Sequence, residues 1–299
     1  MSGALPFETP ATNAVPNETI PGQLPSEPYY RPRRRITAAL RLLPLTVALM
    51  TSAFLIPRYS MLVVPTMAIV VLGAFILQRR SVPKMVKKND EATALLAAGR
   101  VEEAANDFEA LCRESRSVPV LHALFIFNRA VSYHQQSQLE RALSLLAAVQ
   151  ASGWAKTRHI PNFHGLLLAE AAICLALLGR LEDADRLARR AVEHIGEPQR
   201  GKVLPAEVII QLRSGRAAEA ARTIAAQYFL AEGTLGARGA RAMRVLWAYA
   251  ITLDPAAAAG VDPERLLAGA YPHGVGEFDH LASAWPELQS FLRAHGLIG

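Results

Sequence analysis

Apolar residues follow three distinct patterns along this chain. From Met1 to Pro32 they are sparse and aperiodic, broken by Pro6, Pro10, Pro16, Pro21, Pro25, Pro28 and Pro32. From Ile36 to Ile56 and from Met61 to Leu77 they are nearly continuous, separated by Pro57, Arg58, Tyr59 and Ser60. Beyond Lys88 they recur at spacings of three and four with glycines between the runs, which is the period of amphipathic helices.

Each pattern predicts a different kind of structure. Residues 1–32 bury too little apolar surface to offset chain entropy, so a disordered proline-rich tail is expected. Each apolar run is close to the about 20 residues of helix that span a bilayer, which predicts a two-helix transmembrane hairpin over residues 33–82. Arg31, Arg33, Arg34 and Arg35 precede the hairpin, and Arg79, Arg80, Lys84, Lys87 and Lys88 follow it, while the turn holds only Arg58. That asymmetry places both termini in the cytoplasm, with the lipid bilayer as one partner and a bacterial inner membrane as the expected location. Small residues Ala48, Ser52, Ala53, Ala68, Gly73 and Ala74 would allow a homo-oligomer through the hairpin.

The helical part repeats. Ala92, Leu95, Gly99, Val101, Ala104, Phe108 and Leu111 return with identical internal spacing as Ala130, Tyr133, Ser137, Leu139, Ala142, Leu146 and Val149. They return again as Ala172, Leu175, Gly179, Leu181, Ala184, Ala188 and Ala191, and a weaker copy holds Val208, Gly215, Ala217, Ala220 and Ile224. The turns Ala98 to Ala104 and Leu178 to Ala184 are near copies.

On these residues the chain resembles the tetratricopeptide repeat family over about residues 85–228. The family implies two antiparallel helices per unit, small residues at their closest approach and a glycine turn between them. Successive copies lie 38, 42 and 36 residues apart, against about 34 in the family, so longer connections are expected around Ser115 to Pro119 and Gly153 to Phe163. Glu91 and Arg129 stand where the family has a leucine. The fold class expected is all-α: the hairpin, tetratricopeptide-like repeats over 85–235, and a helical C-terminal cap over 236–299 that closes the open apolar end of the stack.

Charge and motifs narrow the function. Residues 1–88 carry 11 Lys+Arg against 3 Glu, whereas residues 89–299 carry 21 against 23 acidic residues, so the net charge of +6 belongs to the N-terminal part and nucleic-acid binding is not expected. There is no nucleotide-binding glycine loop, no HExxH and no GxSxG, so no catalytic residue, cofactor or metal site is assigned and the chain is not expected to be an enzyme. His159 and His164 read as loop residues without a third ligand, and Cys112 and Cys174 as buried apolar thiols.

What the resemblance implies instead is a groove lined by first helices, here Leu124, Phe127, Asn128, Val131, His134, Leu166, Glu170 and Ile173. Some family members bind acidic chaperone tails through Lys and Asn; only Asn128 matches that set, so an apolar helix or extended peptide fits better. The function expected is a membrane-anchored adaptor that recruits a protein or peptide partner. The alternative is a structural component of an oligomeric envelope or secretion assembly.

Overall fold

The computed structural model describes residues 18–32 and 82–299, apart from residues 157, 158, 198, 259 and 275 and the side chains of residues 230 and 231. The described residues are all-α, without a strand among them. Helix α1 covers residues 82–97. It is followed by α2 (Val101–Glu114), α3 (Pro119–Gln135), α4 (Leu139–Ser152), α5 (Phe163–Leu177), α6 (Leu181–His194) and α7 (Leu204–Arg213). The long α8 (Ala217–Leu253), α9 (Pro263–Ala268), α10 (Asp279–Ala282) and α11 (Pro286–Ala294) complete the chain.

Consecutive helices from α2 to α8 pack on one another, and α3, α5 and α7 also touch in succession, so hairpins stack side by side. The small residues of the sequence repeat explain how closely. Ala92, Ala104, Ala130, Ala142, Ala172, Ala184 and Ala220 are all fully buried, and a methyl side chain at a helix crossing lets backbones approach where a larger one would hold them apart.

Four turns share one hydrogen-bond pattern. Arg100 N–H donates to Leu95 O and Gly99 N–H to Leu96 O; the same two bonds join Gln138 to Tyr133 and Ser137 to His134, Arg180 to Leu175 and Gly179 to Ala176, and Arg216 to Gln211 and Gly215 to Leu212. This is the left-handed C-terminal cap that satisfies the last carbonyls of a helix. The residue at its bend has φ of 83° at Gly99, 63° at Ser137, 79° at Gly179 and 72° at Gly215. Glycine enters this region without a Cβ clash, and Ser137 is the copy that carries one. The next helix starts at once, and Arg100–Glu103, Arg180–Asp183 and Arg216–Glu219 ion pairs bridge its first turn.

Helix α8 is broken at Gly236, where φ 71° and ψ 173° leave the helical region. Its two halves fold back on each other: Arg244 pairs with Glu232 at 2.7 Å and the rings of Tyr228 and Trp247 lie 5.8 Å apart. Beyond α8 the chain returns over the stack. Trp285, within the region expected to cap the stack, is buried edge-on against Tyr249, with the Arg213 guanidinium over its ring. The turn α10, absent from the sequence reading, brings Phe278, His280 and Leu281 into the core against α3.

Two expectations need correction. No helix among the described residues is long and apolar enough to cross a membrane, so the assignment as an integral protein of the bacterial inner membrane with both termini cytoplasmic is withdrawn. The physical reason is plain in the two best candidates. The most apolar helix, α5, has 15 residues, about 22 Å against a hydrocarbon core of about 30 Å; the longest, α8, carries Glu219, Glu232, Arg238, Arg241 and Arg244. The two apolar runs and the hairpin built from them lie outside the described residues. The second correction concerns the tail: residues 18–32 are packed onto the helices, with Ile20 and Tyr30 each only 3% exposed.

Candidate functional site

The residues expected to line a groove lie on α3 and α5, which run side by side in the same direction. Phe127 meets Phe163 edge-on at 5.5 Å, and His134 Nδ1 donates to Glu170 Oε1 at 2.7 Å. Both pairs join residues 36 apart in sequence and sit two turns from each other, as parallel neighbouring helices require. Leu124, Phe127, Val131 and Leu166 are half-buried, and Asn128 Nδ2 donates to Asn89 Oδ1 on α1 at 2.7 Å.

The other end of this surface is not open. His134 and Ile173 are buried, and the ring of His280 from the return segment stands edge-on to His134 at 5.3 Å. Burial holds the His280 imidazole well below its ordinary pKa, helped by the nearby charges of His134 and Arg238. Cys174 lies within ligand distance of His134 and Glu170, but it is fully buried, and burial drives its thiol pKa far upward. A thiol so placed is a packed hydrophobe rather than a nucleophile. The eight groove residues thus divide into a half-open end at Leu124, Phe127, Asn128, Val131 and Leu166, and an end around His134, Glu170 and Ile173 covered by the chain itself.

A second surface is already occupied by a peptide segment, the chain's own residues 18–32, which is without α-helix or strand and turns once through a 3-10 helix at Pro28–Tyr30. Gln150 of α4 grips its backbone twice: Gln150 Nε2 donates to Glu18 O at 2.6 Å, and Ile20 N–H donates to Gln150 Oε1 at 2.8 Å. His122 Nε2 donates to Tyr29 O at 2.7 Å. Tyr30 enters the core, where Arg129 Nε donates to its hydroxyl at 3.3 Å; Arg129 also pairs with Glu109 at 3.4 Å and lies 4.0 Å from the Tyr133 ring centroid. The arginine that stands where the resembled family has leucine is thus the polar anchor for Tyr30. Gly22 lies against α4, where a Cβ would make ordinary van der Waals contact with the Leu143 carbonyl.

The segment begins in a cluster of titratable groups. Glu18 Oε1 accepts from His194 Nε2 at 3.3 Å, and Glu18 Oε2 accepts from His164 Nε2 at 3.4 Å and from Lys156 at 3.0 Å. Burial alone would raise the Glu18 carboxyl, but Lys156 and the two imidazoles outweigh it and hold the pKa at about 2. Burial lowers the His164 pKa, and the charges of His194 and Lys156 push the same way. His164, expected in a loop, is in the first turn of α5, while His194 ends α6. They converge because Gly165 lets α5 and α6 touch: a Cβ there would be 2.9 Å from the His194 carbonyl carbon.

Sequence reasoning missed this surface. Its residues come from positions 18, 122, 129, 150, 156, 164 and 194, joined only by the fold; the aromatic pair Tyr29-Tyr30 amid prolines was the one local signal. The described residues therefore define an all-α scaffold of stacked helical hairpins carrying the irregular segment 18–32 on one face. The chain matches no family model, no curated protein and no solved structure.

Proposed function

We propose that this chain is a protein-binding adaptor of tetratricopeptide-like kind, one that engages a protein or peptide partner. One observation carries the reading: residues 18–32 lie on the stacked hairpins as a bound peptide would. Their backbone is held by Gln150 and His122, and their side chains Ile20 and Tyr30 fill pockets. Backbone bonds give such a surface affinity, and side-chain pockets give it selectivity.

The tetratricopeptide-like reading is supported by the buried alanines at the helix crossings and by the four equivalent turns. Beside the segment lies an open cleft of about 780 Å³ bounded by Pro21, Leu24, Tyr133, Arg141, Ser144 and Arg180, which extends the surface available to a partner.

The test uses the full chain with Ile20→Asp and Tyr30→Ala, which removes the two largest buried apolar side chains of the segment. A labelled peptide of residues 18–32 should bind this variant saturably, and wild type far more weakly because its own segment competes. No saturable binding to a variant whose circular dichroism matches wild type would refute a peptide-binding surface.

A further inference from the structure

We propose that Glu18, His164 and His194 form a divalent transition-metal site, of the zinc-binding class, that clasps the N-terminal segment to the ends of α5 and α6. The three side chains each offer a ligating atom, and these atoms all lie within 4.8 Å of one another. Both imidazoles turn Nε2 toward one carboxylate, at 3.4 Å from His164 and 3.3 Å from His194. Those separations are long for hydrogen bonds to a charged acceptor, which run about 2.7–2.9 Å. The two imidazoles face different oxygens of the carboxylate, Oε2 from His164 and Oε1 from His194, so an ion between them would draw in one nitrogen from each ring and one carboxylate oxygen, each to about 2.0–2.2 Å.

The surroundings suit a metal. The His164 and His194 rings lie 4.7 Å apart at 61°, so their edges converge without stacking. The Glu18 backbone carbonyl is fixed by Gln150, which sets where the carboxylate points. Among the described residues Lys156 pairs directly with Glu18, with Arg190 also within reach of its charge, and the Lys156 side chain, 55% exposed, can swing into solvent as the ion enters. Two histidines and one carboxylate leave a fourth position for water or a donor from a bound partner. His194 is on the exposed side of the cluster, which gives the ion a route in from solvent. The other triad with ligand spacing, His134, Glu170 and Cys174, is closed beneath the return segment and has no comparable entry.

The inference stands whether or not the surface recruits a partner, because it rests on the three side chains alone. Full-length chain freed of metal by chelation is titrated with Zn²⁺ and with Co²⁺. One ion per chain is expected, with the intense visible absorption of tetrahedral Co²⁺ and no thiolate-to-cobalt charge-transfer band. His194→Ala and Glu18→Gln should each weaken binding by more than the about 10- to 100-fold typical of losing an outer-shell partner. Amide exchange over residues 18–32 should slow on metal addition in wild type and stay unchanged in both variants. Equal affinity in wild type and variants, no binding at micromolar metal, or a thiolate band that places the ion at Cys174 would each overturn the assignment.

Discussion

The two ends of the chain cover the same stack of hairpins by opposite means. The return segment is locked in by groups cut off from water. Arg241 Nη2 approaches Glu277 Oε1 at 2.6 Å, with side chains only 11% and 6% exposed; Glu277 Oε2 also accepts from His273 N–H, and Phe278, His280, Trp285 and Leu288 are buried around it. The N-terminal segment instead is buried at scattered points, Glu18, Ile20, Pro25, Tyr30 and Pro32, while Leu24 among them is 52% exposed. The rest of its hold comes from hydrogen bonds by Gln150, His122 and Arg129 and from the Glu18 contacts with Lys156, His164 and His194, most of them at a partly wet boundary. One cover is therefore part of the folded core, whereas the other resembles a ligand that happens to be covalently attached.

The sharpest way to break this contrast is to remove a partner from each cover. Glu277→Ala leaves Arg241 charged and buried, which should cost about 3–5 kcal/mol and lower the thermal midpoint of the whole described unit. Gln150→Ala removes two hydrogen bonds on the N-terminal side, at about 1 kcal/mol each, and should loosen residues 18–32 while the midpoint barely moves. Equal shifts in the midpoint for the two variants would erase the distinction.

Acid should act on the return segment next. His280 is held neutral by burial, with His134 and Arg238 adding to the effect, so its folded pKa lies well below the ordinary 6.5. The unfolded chain takes up a proton near pH 6.5 that the folded chain refuses, so this contribution is present above about pH 6.5 and is lost as pH falls below it. Thermal midpoints should drop between pH 7.5 and 5, and His280→Gln should flatten that part of the profile. An unchanged profile in the variant would remove His280 as the cause.

Smaller effects sharpen the picture of the scaffold beneath both covers. Gly165→Ala forces a methyl against the His194 carbonyl carbon and should destabilise by about 1–3 kcal/mol, measured by urea unfolding. Ser137→Gly should stabilise by about 0.5–1 kcal/mol, because its φ of 63° is costly for an L-residue and ordinary for glycine. A neutral result there would mean that contacts of Ser137 offset its backbone strain.

The repeat was legible because it is local. Ala104, Ala142 and Ala184 recur with their turns in sequence, and the structure buries all three and gives the turns one hydrogen-bond pattern. The two covers were harder to read, because each draws its hold from the far side of the fold. Nothing near Glu18 in sequence names His164 or His194, and nothing near His280 names His134. The segment 18–32 reads as disordered by composition, yet a few buried side chains and the polar contacts of Glu18 and of its backbone hold it once a matching scaffold exists. Phe127 and Val131 show the reverse error: they read as open groove, but both are half-buried and Phe127 packs on Phe163, so charge there would disturb the fold as well as any partner.

The central claim is that the N-terminal segment is a docked and releasable ligand of its own scaffold. Hydrogen exchange resolved along the chain tests it most directly. The Ile20 amide should be protected in wild type and released in Gln150→Ala, while the amides of Phe278 to Leu292 keep their wild-type protection in both. Exchange at Ile20 as fast as in a free peptide of residues 18–32, or loss of protection in both covers together, would contradict it.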